Sequence, residues 1–392
     1  MNATALNRMA CAALLLYCAG VIISLSLRLD RLQWDFGVYY HAPQAFARGL
    51  NPYRMIVPCA VEGAASPRGF KYYYPPFMLL PFAAFSLLGY TAAARLFFAA
   101  NVAAAAALLL VWRNGILGGR GGAVFYLFCL AAFGSPIYIA LKAGNVAIME
   151  QCALWLAFSF LLARRYAAFC ACLFAAAAFK GTPLLFLSLL LFETDGRRYR
   201  FLAFSAAAVC AAAAAVCAAA PGLVQQFLAG ALRVVDKAHQ PSTYAALGEM
   251  LPGAWQKASY GAVAAAVLAC TVRAAAALRA GSSPGKNREM LFLACAAYAV
   301  LLPHFEDYSY IVLIVPAYAV LCGAGGAGRP AAALFFLILS SAGGALPVLG
   351  AWTKFALRHS PLTLAYCLWG VSVWRALRGG AAGAGAAAGA GG

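Results

Sequence analysis

Asp35 sits in the stretch WDFGVYYHAPQAFARGLNPY, with Trp34 and Phe36 beside it and Tyr39 and Tyr40 close behind. Aromatic neighbours exclude water and position a sugar ring, while a carboxylate so placed accepts a proton from an attacking hydroxyl. The alternative is structural: Asp is a favoured N-cap, and a helix over 36–48 would start just after it. Of the eleven acids in the chain, Glu193, Asp195 and Glu289 lie beside basic residues and are expected on the cytoplasmic side. Asp30, Asp35, Glu62, Asp236, Glu249, Glu306 and Asp307 remain as outer-side candidates, with Glu150 inside or at the edge of an apolar block.

Polar groups at membrane depth form the next class, because ionisable residues there usually serve function. Lys142 and Asn145 in LKAGNVAIMEQ lie between two apolar blocks, and Lys180 interrupts the run AAAAFKGTPLLF. A lysine at such a point either contacts a phosphate as a point charge or snorkels to the interface. His304, in LLPHFEDYSYIVLIVP, stands beside Glu306, Asp307 and Tyr308. It either donates to a phosphate and adjusts a nearby carboxylate, or is an ordinary loop residue.

Several chemistries are not supported. No two histidines show metal-ligand spacing, and Cys170 with Cys172 is too close for a typical metal pair, so no bound metal is expected. Twelve of thirteen cysteines fall in apolar segments, Cys59 being the exception, which argues against a disulfide framework. No phosphate-binding glycine loop or nucleophile elbow occurs in a strand–helix context, so neither a nucleotide nor another cofactor is expected.

These groups must be positioned by a membrane bundle. The chain has 392 residues, 65 % of them hydrophobic and 10 % charged, whereas soluble domains carry roughly 25 % charged residues. The net charge of +18 comes largely from Lys and Arg at the ends of apolar runs, read as topology signals and headgroup anchors rather than a nucleic-acid surface. An all-α polytopic integral membrane protein follows, with about twelve transmembrane helices, in the range eleven to thirteen. The run Met9–Leu27 is read as a retained first helix rather than a cleaved signal, and an even count places both termini in the cytoplasm.

The segment 28–75 then lies outside the cytoplasm as a long first loop, more than topology needs. Within it Gly49 suits a helix C-terminus and Pro52 stops continuation, while Lys71 to Pro76 re-enters the membrane behind three tyrosines. A strict twelve-span count puts Arg164 and Arg165 outside. Treating Tyr166–Phe192 as a hairpin turning at Lys180-Gly181-Thr182-Pro183 brings them back beside Arg197 and Arg198. Residues 1–378 read as one domain, and the Ala/Gly tail 379–392 lacks the apolar surface to fold.

The order of landmarks resembles glycosyltransferase family 87, polyprenol-phosphate-mannose-dependent mannosyltransferases of the GT-C membrane fold. Four stretches carry the resemblance: Asp35 to Tyr53 followed by YYYPPFMLLPFAAF; GNVAIMEQCALWLAFSFLLARR; AAAFKGTPLLFLSLLLF, the family's Lys-x-x-Pro segment; and HFEDYSYIVLIVP. The family commonly shows Gly-Gln where this chain has Gly144-Asn145. The resemblance implies transfer of a hexose, mannose in the family, from a polyprenyl phosphate to a glycolipid or glycan acceptor at the outer face of the plasma membrane, with inversion. Asp35 would be the general base; Lys180 and His304, with Arg54, would stabilise the leaving phosphate. Tyr39, Asn51 and Tyr53 would shape the sugar site, and Asn145 would be a further substrate-binding residue. The rival class is a transporter or flippase of lipid-linked sugars, against which no convincing repeat relates the two halves. A structural membrane subunit, its charges serving only as anchors, is the other alternative.

Overall fold

A computed structural model describes residues 3–59, 68–119, 122–234, 241–281, 285–323 and 358–389. Among these the chain is almost entirely helical; its sheet is one antiparallel hairpin, β1 (Val57–Cys59) with β2 (Arg68–Phe70), registered Val57 to Phe70 and Cys59 to Arg68. The helices are α1 (Ala3–Ser26), α2 (Trp34–Ala47), α3 (Leu79–Ala83), α4 (Tyr90–Leu110), α5 (Ala123–Ala131), α6 (Pro136–Ala143), α7 (Ala147–Leu162) and α8 (Tyr166–Phe179). They continue as α9 (Arg198–Ala219), α10 (Pro221–Val234), α11 (Thr243–Met250), α12 (Gly253–Ala280), α13 (Lys286–Leu301), α14 (Ile314–Gly323) and α15 (Ser360–Gly389).

The all-α membrane character agrees with the sequence reading, but the count of about twelve spans does not carry over to the described residues. Four helices are long and apolar enough to cross a membrane, Ala5–Ser26, Tyr90–Ile116, Arg198–Ala219 and Gly253–Ala280, or five if a bent pair counts as one. That pair, Ala123–Gly134 with Pro136–Ala143, bends by 68° where Phe133 and Ser135 adopt left-handed backbone and Pro136 restarts the helix. The other apolar blocks are shorter than the roughly 20 residues a spanning helix needs, among them Ala147–Leu162, Tyr166–Phe179 and Thr182–Phe192. Hydropathy runs straight through the polar or glycine breaks that divide them. The block 331–350 lies outside the described residues.

The suspected hairpin is present. Helix α8 ends at Phe179, Lys180 is extended, and a 3-10 segment Thr182–Phe192 returns. Its end meets the start of α8, where the Tyr166 hydroxyl donates to Glu193 at 3.1 Å. Both arginine clusters, 164–165 and 197–198, therefore sit at one end of the hairpin, and Lys180 sits at the other.

The first loop is ordered by aromatic packing. Helix α2 is buried on most of its sides, with Phe36, Val38, Tyr39, Tyr40, Ala42 and Pro43 all inside, as a helix apolar nearly all round must be. Phe36 stacks on Phe97 of α4 at 4.7 Å, and Tyr39 stacks on Phe82 of α3 at 4.6 Å. Each such pair adds about 0.5–1.5 kcal/mol beyond area burial. The Gly49 backbone is left-handed at φ +74, as the C-terminus of α2 requires. A second, larger core around Trp112, Trp155, Phe158 and Tyr310 joins α5, α6, α7, α8 and α13. Helix α15 carries helical backbone into the Ala/Gly tail as far as Gly389, where alanine's high propensity offsets the glycines.

Candidate active site

The N-cap reading of Asp35 fails on geometry. Helix α2 begins one residue earlier, at Trp34, and its N-cap position is Gln33, held left-handed at φ 63. Asp35 is in the first turn, and its carboxylate Oδ2 instead accepts from the Asn145 amide nitrogen at 2.7 Å. The Asn145 carbonyl oxygen accepts from the Ala147 backbone N–H at 2.8 Å, so the amide can only turn its NH2 toward the carboxylate. Asn145 is 1 % exposed.

Gln33 makes this meeting possible. Its side chain donates to the Leu141 carbonyl at 2.6 Å and its backbone N–H to the Lys142 carbonyl at 3.0 Å, joining the start of α2 to the end of α6. Gly144 turns the chain there with φ +67, and a Cβ on it would lie 2.4 Å from the Gln33 amide oxygen. The residues after this turn, Asn145 and then α7, are thereby aimed at Asp35.

Two further segments join the cluster. Lys180 and Glu306 both act electrostatically on Asp35, and both act on Glu150, which is 3 % exposed at the start of α7. The Lys180 ammonium lies 4.8 Å from the centre of the Tyr308 ring, a cation–π contact that fixes the charge without neutralising it. The break around Lys180 is tied to α13 by the Thr182 and Tyr298 hydroxyls at 2.8 Å. His304 Nε2 approaches the Glu306 carboxylate at 3.4 Å, while its buried Nδ1 has no hydrogen-bond partner among the described residues. The loop bearing it is held by Ser242, which caps α11 and donates to the Pro303 carbonyl at 2.8 Å.

Desolvation pushes the Asp35 carboxyl up to about 7; the Asn145 hydrogen bond opposes this, Glu306 adds to it, and Lys180 opposes it. A carboxylate that titrates near neutrality is matched to general-base work. Tyr39 and Tyr74 share a hydrogen bond at 2.6 Å, and burial raises both phenols well above their ordinary value, so both stay protonated beside the carboxylate. The Tyr53 hydroxyl donates to the Tyr74 carbonyl at 2.8 Å.

The structure thus brings Asp35, Tyr39, Asn145, Lys180 and His304 to one end of the helices, all but Tyr39, which lies within α2, at or near a junction. Tyr53 joins through Tyr74, and Asn51 serves the turn before it, accepting the Tyr53 backbone N–H at 2.9 Å. Arg54 differs: it lines a cavity of about 580 Å³ whose walls include none of Asp35, Lys180 and His304. Asp30 pairs with Arg31 on the surface, and Glu249 is held by Arg358 at 2.9 Å. Glu62, Asp236 and His239 lie outside the described residues. No group of His, Cys, Asp and Glu among the described residues could hold a metal ion.

Sequence reasoning passed over Gln33, one polar residue among the charged ones of RLDRLQWDF. It saw Glu150, Glu306, Tyr74 and Tyr308 without assigning them to the cluster, although two of them neighbour His304. No curated protein and no solved structure matches the chain. A family model described as glycosyltransferase family 87 matches residues 72–303, a stretch that contains Asn145 and Lys180, stops one residue short of His304 and begins after Asp35. With more than half of its length matched, the chain belongs to glycosyltransferase family 87 and is a membrane glycosyltransferase.

Proposed function

We propose that this glycosyltransferase moves a hexose, mannose by family resemblance, from a polyprenyl-phosphate donor to a hydroxyl of a glycolipid or glycan acceptor at the outer membrane face, inverting the anomeric carbon. The observation that supports it most is the meeting of a part-buried carboxylate with a cation held over an aromatic ring: Asp35, steadied by Asn145 and sensing Lys180.

In this reading Asp35 takes the proton of the acceptor hydroxyl as its oxygen attacks C1 of the sugar, and the C1–O bond to the lipid phosphate breaks. The departing phosphate gains charge, which Lys180 and His304 stabilise from positions set before the reaction begins. The unpartnered Nδ1 of His304 is a site at which that contact can form. Tyr39, its ring buried against Phe82, and Tyr74 back the sugar site through their shared hydrogen bond, and Tyr53 extends it through the Tyr74 carbonyl. The donor arrives activated, so the reaction needs neither nucleotide nor cofactor. Membrane lipids surround the protein, and nucleic acid has no part.

The test is transfer from labelled polyprenyl-phosphate mannose to a glycolipid acceptor by the purified protein in proteoliposomes. Transfer by wild type, lost in Asp35→Asn with an unchanged elution profile and thermal unfolding, upholds the reading. Movement of the lipid-linked sugar across the bilayer without transfer would instead establish a flippase.

A further inference from the structure

A cavity lies outside the Asp35 cluster, between the first loop and α10. Its 580 Å³ falls within the roughly 300–1,000 Å³ of ligand pockets. One wall is Tyr53, Arg54, Lys71, Tyr72 and Tyr73; Gln225 and Gln226 of α10 line the other. The β1–β2 hairpin explains why the two cations meet. Val57 pairs with Phe70, so Arg54, just before β1, and Lys71, just after β2, both fall at the open end of the hairpin.

Among the described residues that line it there is no acid. The Tyr53 and Tyr72 hydroxyls are turned inward onto the Tyr74 and Pro75 carbonyls; the two rings pack on each other 5.4 Å apart, with Tyr72, 1 % exposed, behind the half-buried Tyr53 ring that faces the cavity. Two cations, side-chain amides and aromatic rings around one space suit a ligand that is both sugar and anion. The cations meet the charge, the amides meet hydroxyls, and the rings stack on the pyranose face. One tyrosine path leads from there toward the reacting centre, since Tyr53 bonds to Tyr74 and Tyr74 bonds to Tyr39.

We propose that this cavity binds the phosphate-bearing sugar of the acceptor, apart from the donor phosphate at Lys180 and His304. Binding itself stands on the cavity's chemistry; the acceptor role rests on the transferase reading. Arg54 thereby leaves the donor side, where the resemblance would put it, and pairs with Lys71.

The test uses the full chain in nanodiscs of phosphatidylcholine, with labelled glucose 6-phosphate as the soluble probe and glucose and inorganic phosphate as controls. A second arm measures retention of phosphatidylglycerol, whose phosphate carries a polyol, by native mass spectrometry. Arg54→Gln combined with Lys71→Gln is expected to weaken the preferred probe by about tenfold or more, as loss of charge-assisted contacts does. Gln226→Glu, which puts a carboxylate against the anion without touching the hairpin, is expected to do the same. Asp35→Asn should bind as wild type.

Preference for glucose 6-phosphate identifies a soluble phosphosugar as the source, and preference for phosphatidylglycerol a lipid headgroup; either upholds the site. If neither probe binds, or if binding survives both sets of changes, the proposal is overturned. The assay needs no catalysis, so its failure leaves the Asp35 transfer comparison standing, and the reverse holds as well.

Discussion

Asn145 and Asp35, 110 residues apart in the chain, meet at 2.7 Å, with the amide oriented by its own bond to the Ala147 N–H. The bond favours the ionised carboxylate against the desolvation that holds its pKa near 7. Asn145→Ala removes that counterweight, so Asp35 should ionise later, with the rising limb of kcat/KM against pH moving up by about one unit. A pH–rate profile of the variant checks this, and an unmoved limb would detach Asn145 from the reacting carboxylate.

Asp35 itself yields two linked expectations. Asp35→Asn should cost about 10²–10⁴ in transfer rate, the range for loss of a general acid or base, read with labelled donor. The stability effect has the opposite sign from the usual carboxylate. The folded pKa is raised from 3.8 to about 7, so between those values the native state holds a proton that the unfolded state has released. Stability from this group is therefore present at low pH and is lost as pH climbs from about 4 to about 7. Thermal unfolding at pH 5 and pH 8 should show a decline in wild type that is smaller in Asp35→Asn.

Lys180 separates a functional cation from an anchoring one. A snorkelling lysine tolerates removal of its charge, whereas one fixed over Tyr308 and felt by Asp35 does not. Lys180→Met should lower kcat by about 10²-fold, comparable to loss of one donor to a developing oxyanion, and should also raise the Asp35 limb of the pH profile. Normal activity with a small stability loss would identify Lys180 as an interface residue.

The charged residues that gather around Asp35 were more legible in the sequence than the span count. Asp35, Lys180 and His304 were conspicuous because charge in an apolar chain is rare, and the Lys180-Gly181-Thr182-Pro183 turn announced itself by composition. The helix expected over 36–48 appears as Trp34–Ala47. Spans were harder to read, because hydropathy measures composition along the chain and does not register bends such as the 68° one at Ser135. The partners of each charge were hidden for a different reason. Glu306 acts on Asp35 and on Glu150 across more than a hundred residues of chain, and no local pattern encodes such a meeting.

Gly144 is where backbone geometry and chemistry meet, and it gives a prediction that involves no charge. Its φ of +67 disfavours any side chain, and a Cβ would lie 2.4 Å from the Gln33 amide oxygen and 3.0 Å from Phe36 Cβ. The Gln33 amide cannot swing aside freely, because its nitrogen is engaged with the Leu141 carbonyl at 2.6 Å. Relief must come from moving α2 away from the α6–α7 turn, which parts Asp35 from Asn145. Gly144→Ala should therefore destabilise by about 1–3 kcal/mol, combining left-handed strain with overpacking. Transfer should fall further than unfolding alone explains when assayed well below the melting temperature. Gly222→Ala, in α10 with open space around its Cβ, is the matched control and should be neutral or slightly stabilising. Equal behaviour of the two variants in thermal unfolding and transfer would show that the Gln33–Gly144 contact does not set the position of Asp35.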